Sequence, residues 1–521
     1  MMRPMSALKL IWPALLLMAA CGLGRSAEPL TPATATTVRV QPATIVPTLA
    51  RQPHVVPSAV PSLAPAGTPG CPRDGDNQPA VRHTVTANLN YEQRALLVAQ
   101  QVSLVNTDAA ALDEIVFVVE PNLWPRAFTL ERVALEPDAL QLAAELTGRR
   151  LTAELPIALE PGCGLTVRLD FRLDVPQIGD GFGPYRGYLG YSPRQLNLGH
   201  WLPVVAPRIG GEWITRESVR IGEQNVLDAA DWDVTLSINS APDTLVVAGP
   251  GQQSRPGKRV WHFALTGARD FTLSLSDAFH VVSQQTPSGV QVEVYSLADE
   301  PNAAGAGRRR GNSAAHALDT AVRSLELYSD LYGHYPYDRL VVVEGDFPDG
   351  VEFSGIVFVS GSWFRQYRDD PAGYLTLITA HEVAHQWWYG LVGSDPALTP
   401  WLDEALATYS EYVFIEEYYP ELKDWWWSFR VDAYAPEGFV DGTVYQFSSV
   451  REYINAVYLL GARMLHALRA DLGTDAFFDL LRRYAEVGRG RIATPDLFWS
   501  LLTPEQAAAA ATTRRRYFSG F

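Results

Sequence analysis

Residues 375–390 read LTLITAHEVAHQWWYG, with two histidines four positions apart and a glutamate directly after the first. On a helix that spacing puts His381 and His385 on one face, one turn apart. Two imidazole nitrogens so placed reach a single metal ion. Glu382 points about a quarter-turn away, where its carboxylate can meet a water on that ion. The competing reading is an ordinary amphipathic helix with both histidines on its buried face. Deciding between them requires a third ligand, because three protein ligands plus water make a catalytic zinc site and four make a closed structural one.

The segment LTPWLDEALATYSEY supplies that ligand. Thr399 suits the cap of a second helix and Pro400 its first position, which places Asp403 and Glu404 in the first turns. A second helix packed on the first would carry the Glu404 carboxylate to the ion. Glu411 lies seven residues further on the same face, placed to accept a hydrogen bond from a ligand histidine. The set expected from spacing is therefore one Zn2+ ion held by His381, His385 and Glu404, with Glu382 as general base.

The rest of the chain gives this helix pair its setting. Its 521 residues are too many for one core, and 47% apolar with 19% charged residues is the balance of a folded protein. A formal net charge of −16 argues against a nucleic-acid partner. The arginine runs at Arg308–Arg310 and Arg514–Arg516 read as solvated surface. Residues 1–21 read as a targeting segment: Arg3 and Lys9, then LIWPALLLMAA, then Cys21. LMAAC resembles a bacterial lipoprotein cleavage box. That resemblance implies lipidation of Cys21, membrane anchoring and an extracytoplasmic location, with plain secretion as the alternative. Residues 22–75 are rich in proline among small residues and read as an extended linker. Outside the cell Cys71 and Cys163 are able to pair, and the long loop they close would add about 4–5 kcal/mol in the chain-entropy account.

From residue 76 to 290, short alternating runs such as HTVTANLNYE, EIVFVVEP and LTVRLDFRLDV predict an all-β sandwich. Residues 291–521 turn mainly helical. NSAAHALDTAVRSLELYSDLYG is a predicted helix capped by Asn312 or Ser313 and stopped at Gly333, while RLVVVEGDF and GIVFVSGSWF are predicted strands. The three tryptophans of DWWWSF, at 425–427, point about 100° apart on a helix, so at least one should reach a cleft or the surface while the others pack.

HEVAH with Glu404 in WLDEALA resembles the gluzincin zinc peptidases of the membrane alanyl aminopeptidase family. Their third ligand sits in a W-L-x-E-x-x-A segment. Two further hallmarks match more loosely. DGVEFSGIVF stands where the family has Gly-x-Met-Glu-Asn, with Val351 for the methionine and Phe353 for the asparagine. NAVYLLGARML stands where it has Tyr-x-Lys-Gly, with Leu460 for the lysine. The resemblance implies an α+β chain, an all-β sandwich followed by a thermolysin-like, mainly helical zinc peptidase domain with a small sheet, and no large C-terminal helical domain. It implies an aminopeptidase acting on peptides, with Tyr458 as the oxyanion donor and Glu352, with Gly350, holding the substrate's N-terminus. A zinc endopeptidase or other hydrolase on the same scaffold, and an inactive binding lipoprotein, remain the alternatives.

Overall fold

The computed structural model describes residues 38–40, 80–179, 187–297 and 312–520. The targeting segment with Cys21, most of the linker with Cys71, and the run Arg308–Arg310 lie outside these residues. Val38–Val40, within the linker, pairs antiparallel with Ala144–Thr147. Cys163 is disulfide-bonded, to a partner outside the described residues. No helix among the described residues is long and apolar enough to cross a membrane.

The N-terminal part is a β-sandwich. Its larger sheet has eight strands, ordered Gln252–Gly257, Val260–Ala268, Ala230–Asn239, Val81–Asn90, Ala95–Val105, Gly164–Asp174, Phe128–Leu135 and Leu140–Gln141. Alternation builds it: along Val81–Asn90, His83, Val85, Ala87 and Leu89 are buried while Arg82, Thr84, Thr86 and Asn88 face water. A five-stranded sheet containing Arg150–Leu159 and Leu112–Val118 lies in the same continuous hydrophobic core.

The C-terminal body opens with a second five-stranded sheet, ordered Phe279–Gln285, Gln291–Leu297, Arg339–Gly345, Ile356–Ser360 and Val351–Phe353. Its three middle strands run parallel and both outer ones antiparallel. Arg339–Gly345 and Ile356–Ser360 are buried throughout, as strands covered on both faces must be. The division expected at 290/291 passes through the hairpin joining the first two strands, whereas the sheet keeps both with the C-terminal body. GIVFVSGSWF also divides: Ile356–Ser360 is strand, and Gly361–Gln366 is a short helix.

Four helices set up the site: α1 (Ser313–Tyr332), α2 (Gly361–Gln366), α3 (Tyr374–Ala384) and α4 (Glu404–Tyr418). α1 begins after Asn312 and ends at Gly333, whose φ of 111° suits a residue without a Cβ. α3 packs against α1 and α4. The two bodies are joined by Arg269, which is fully buried. Its guanidinium donates to the carbonyls of Leu227 in the sandwich and of Tyr389, Leu391 and Arg491 in the C-terminal body.

Candidate metal centre

Every residue of α3 from Leu375 to Ala384 is buried, so this helix has no solvent face. His385 stands at its C-cap, and the chain continues into a wider π-helical turn, Gln386–Leu391, kinked at Trp388. The second helix begins later than its sequence suggests. Pro400–Leu402 forms a 3-10 turn, Thr399 makes no side-chain cap and instead donates to the Asp395 carbonyl, and α4 starts at Glu404. That brings Glu404 to the head of α4, facing the histidines.

His381 Nε2 and His385 Nε2 are 3.0 Å apart, and Glu404 Oε2 lies 3.3 Å from the first and 3.5 Å from the second. The corners of a tetrahedron around an ion with bonds of about 2.0–2.1 Å are about 3.3 Å apart. Each histidine's other nitrogen is already engaged: His381 Nδ1 with Glu411 Oε1 at 2.9 Å, and His385 Nδ1 with Asp403 Oδ1 at 2.6 Å. A neutral imidazole that donates from Nδ1 carries its lone pair on Nε2. Two lone pairs and a carboxylate oxygen that converge in this way repel one another unless a cation stands between them. Glu404 Oε2 is buried and accepts no hydrogen bond. Burial alone would raise the Glu404 pKa, and only positive charge on the histidine side of the site holds it low. Two imidazoles, one carboxylate and an open fourth position suit a catalytic Zn2+ ion.

Beside these three, Glu382 is 4% exposed, and its Oε2 also lacks a hydrogen-bond partner. Burial pushes its carboxyl up to about 8, with the histidines pulling the other way. Oxygens of Glu352 and Glu382 and a nitrogen of His385 lie within 4.8 Å of one another. Glu352 is buried on Val351–Phe353, the outer strand of the sheet next to the site. Gly350, expected beside the substrate, lies against the general-base candidate: a Cβ there would be 2.0 Å from Glu382 Oε1. Tyr458 lies in a π-helical turn, Ile454–Leu459, with its ring parallel to His381 at 6.0 Å between centroids. The helix that follows it, Leu460–Leu472, comes close to α4 through Gly461, where a Cβ would be 2.5 Å from Ala405 Cβ.

Comparison with known proteins agrees with this geometry. Residues 316–514 match the Peptidase family M1 domain. Human endoplasmic reticulum aminopeptidase 1 is 32% identical to it over 223 residues, which is 40% of this chain and 23% of the human protein. Rice aminopeptidase M1-B is 26% identical over 250 residues, 44% of this chain and 26% of the rice protein. The chain thus spans about a quarter of the length of these relatives. In fold, an M1 zinc metallopeptidase from Deinococcus radiodurans superposes with a TM-score of 0.61 at 18% identity, covering 85% of this chain and 95% of that one. A mutant of that enzyme bound to a Tyr-Ser-Ala substrate superposes with a TM-score of 0.59 at 18% identity, covering 84% and 94%.

Three residues at this site escaped the sequence reading. Asp403 was assigned only to the first turn of a helix, and no local signal marks it as the partner of His385. Glu223 comes from the sandwich. Besides burial, the Glu352 carboxyl is raised first by Glu223, then by Asp403 and Glu404, so acidic groups meet at this corner of the site. The loop carrying Glu223 is held from behind by Arg149, which donates to Asn225 Oδ1 at 2.7 Å and to the carbonyls of Arg216 and Gln224, and pairs with Glu120 at 2.6 Å. Arg430 is the third, and its nitrogens reach both oxygens of Glu411 at 2.8 and 2.9 Å.

Proposed function

We propose that the protein is a zinc-dependent aminopeptidase. The observation that carries this reading is the convergence of His381, His385 and Glu404 at tetrahedral spacing, with two buried acidic side chains, Glu382 and Glu352, against the same point. Zinc bound to these three residues supplies Lewis acidity that brings the pKa of a coordinated water to about 7. The Glu382 carboxylate takes the attacking water's proton and returns it to the leaving amine. The Tyr458 hydroxyl donates to the carbonyl oxygen as that oxygen gains charge. Glu352, with Glu223 beside it, holds the free α-ammonium, which offsets their mutual repulsion and sets the scissile bond one residue from the chain end. That requirement for a charged terminus makes the enzyme an exopeptidase.

The test is a matched panel of peptides with free and N-acetylated termini. The free forms should be cleaved, and the acetylated forms should be poor substrates. Glu352→Gln should depress hydrolysis of the free forms by orders of magnitude and leave the acetylated ones nearly unchanged. Internal cleavage of blocked peptides at comparable rates, lowered equally by the substitution, would make it an endopeptidase. We also propose that Cys21 is lipidated and tethers the enzyme to the outer face of a cell membrane through the proline-rich linker. Cys21→Ser should then lose the lipid, and an unmodified mature N-terminus beyond residue 21 in mass spectrometry would exclude the anchor.

A further inference from the structure

We propose that Arg430 is a positioning residue for the zinc centre, fixing His381 through Glu411, and that the triple tryptophan before it serves to deliver it there. This inference rests on the zinc reading of the site. Glu411 is fully buried, and its carboxylate has three partners: Arg430 Nη2 and His381 Nδ1 on Oε1, and Arg430 Nε on Oε2. A guanidinium that grips both oxygens in parallel fixes the plane of the carboxylate as well as its place. The carboxylate plane then fixes the direction in which His381 donates, and so the direction of its Nε2 lone pair. An arginine suits this task better than a lysine, whose single ammonium sets no plane.

The surrounding sequence accounts for how Arg430 gets there. Residues 423–426 form one helical turn, and Trp427–Val431 widens into a π-helical one. Trp426 is fully buried, with its ring 5.3 Å from Tyr412, the neighbour of Glu411 on α4. Trp427 meets the same tyrosine at 5.1 Å. Trp425 stacks on Phe429 at 4.9 Å, and Phe429 reaches Tyr374 at the start of α3 at 5.2 Å. The aromatic segment therefore grips α4 through two tryptophans and α3 through Phe429, on which the third tryptophan stacks. Arg430 emerges between the helices, where Glu411 of α4 meets His381 of α3.

The test measures zinc release from full-length protein into excess chelator, alongside thermal unfolding of the metal-free form. Arg430→Gln frees Glu411 to turn, so release should quicken by about 10- to 100-fold, the usual effect of losing a partner behind a ligand. Arg430→Lys keeps the charge but not the parallel grip and should fall between the two. Glu411→Gln combined with Arg430→Gln should release zinc little faster than Glu411→Gln alone, because both act through one contact. A residue that only supports the fold would lower the melting temperature and leave the release rate unchanged. Folded Arg430→Gln that releases zinc at the wild-type rate overturns the proposal. If that variant does not fold, a wild-type release rate in Arg430→Lys overturns it instead. Wild-type protein that holds no zinc would overturn the metal reading itself.

Discussion

Gly350→Ala separates folding from chemistry at this site. The added methyl would stand 2.0 Å from Glu382 Oε1, 2.6 Å from its Cδ and 2.9 Å from Ile378 Cγ2. The backbone at Gly350 is not in the left-handed region, so alanine adds no conformational strain. The nearest obstruction is the tip of a side chain with rotatable bonds, so the fold can yield by turning Glu382 rather than by moving the sheet. The carboxylate must retreat by more than about 1 Å to restore a normal contact. A misplacement of that size at a reacting group costs about 100-fold, or about 2.7 kcal/mol of barrier. The three metal ligands are not displaced, so zinc content should hold at one per chain. The assay is hydrolysis of an amino-acid arylamide read as kcat, with zinc measured by atomic absorption on the same sample. A kcat within threefold of wild type would refute the reasoning, because Glu382 would then tolerate displacement or not act as the base.

Two further substitutions address other parts of the structure. Glu382→Gln keeps the shape and removes the base. Zinc should stay bound while kcat falls by about 100- to 10,000-fold, as single-turnover hydrolysis would show. Arg269→Met removes a donor from four buried carbonyls, of which those of Leu391 and Arg491 keep a backbone N–H from Gly490 and Gly393, so unfolding free energy from a urea titration should drop by about 2–4 kcal/mol.

What the sequence revealed and what it hid follow from the range of each signal. The meeting of His381 and His385 is fixed by helical periodicity, and Glu404 by a short connection between two packed helices, so local spacing suffices. Glu411 follows from the period of α4 once Glu404 is placed. Asp403 could not be assigned, because two adjacent acidic residues at a helix start look alike until the chain is known to make a 3-10 turn at Pro400–Leu402 and begin α4 only at Glu404. Glu223 belongs to another body altogether, and no spacing rule links it to position 352. The hairpin across 290/291 could not be foreseen, because FHVVSQQ and QVEVYSL read like the sandwich strands before them. Only hydrogen-bond pairing shows which sheet they join. In DWWWSF the tryptophans are the prominent feature, while the residue that bonds Glu411 is the arginine just after them.

The Arg269 junction limits how this molecule can move. Separating the bodies would strip the guanidinium of three of its four carbonyl partners and break every one of those bonds at once. A clamshell that opens to load its substrate would pass through that state at every turnover. The two bodies are therefore better described as one block than as a jaw. Under the proposed peptidase reading, turnover should therefore not depend on a hinge between the two bodies.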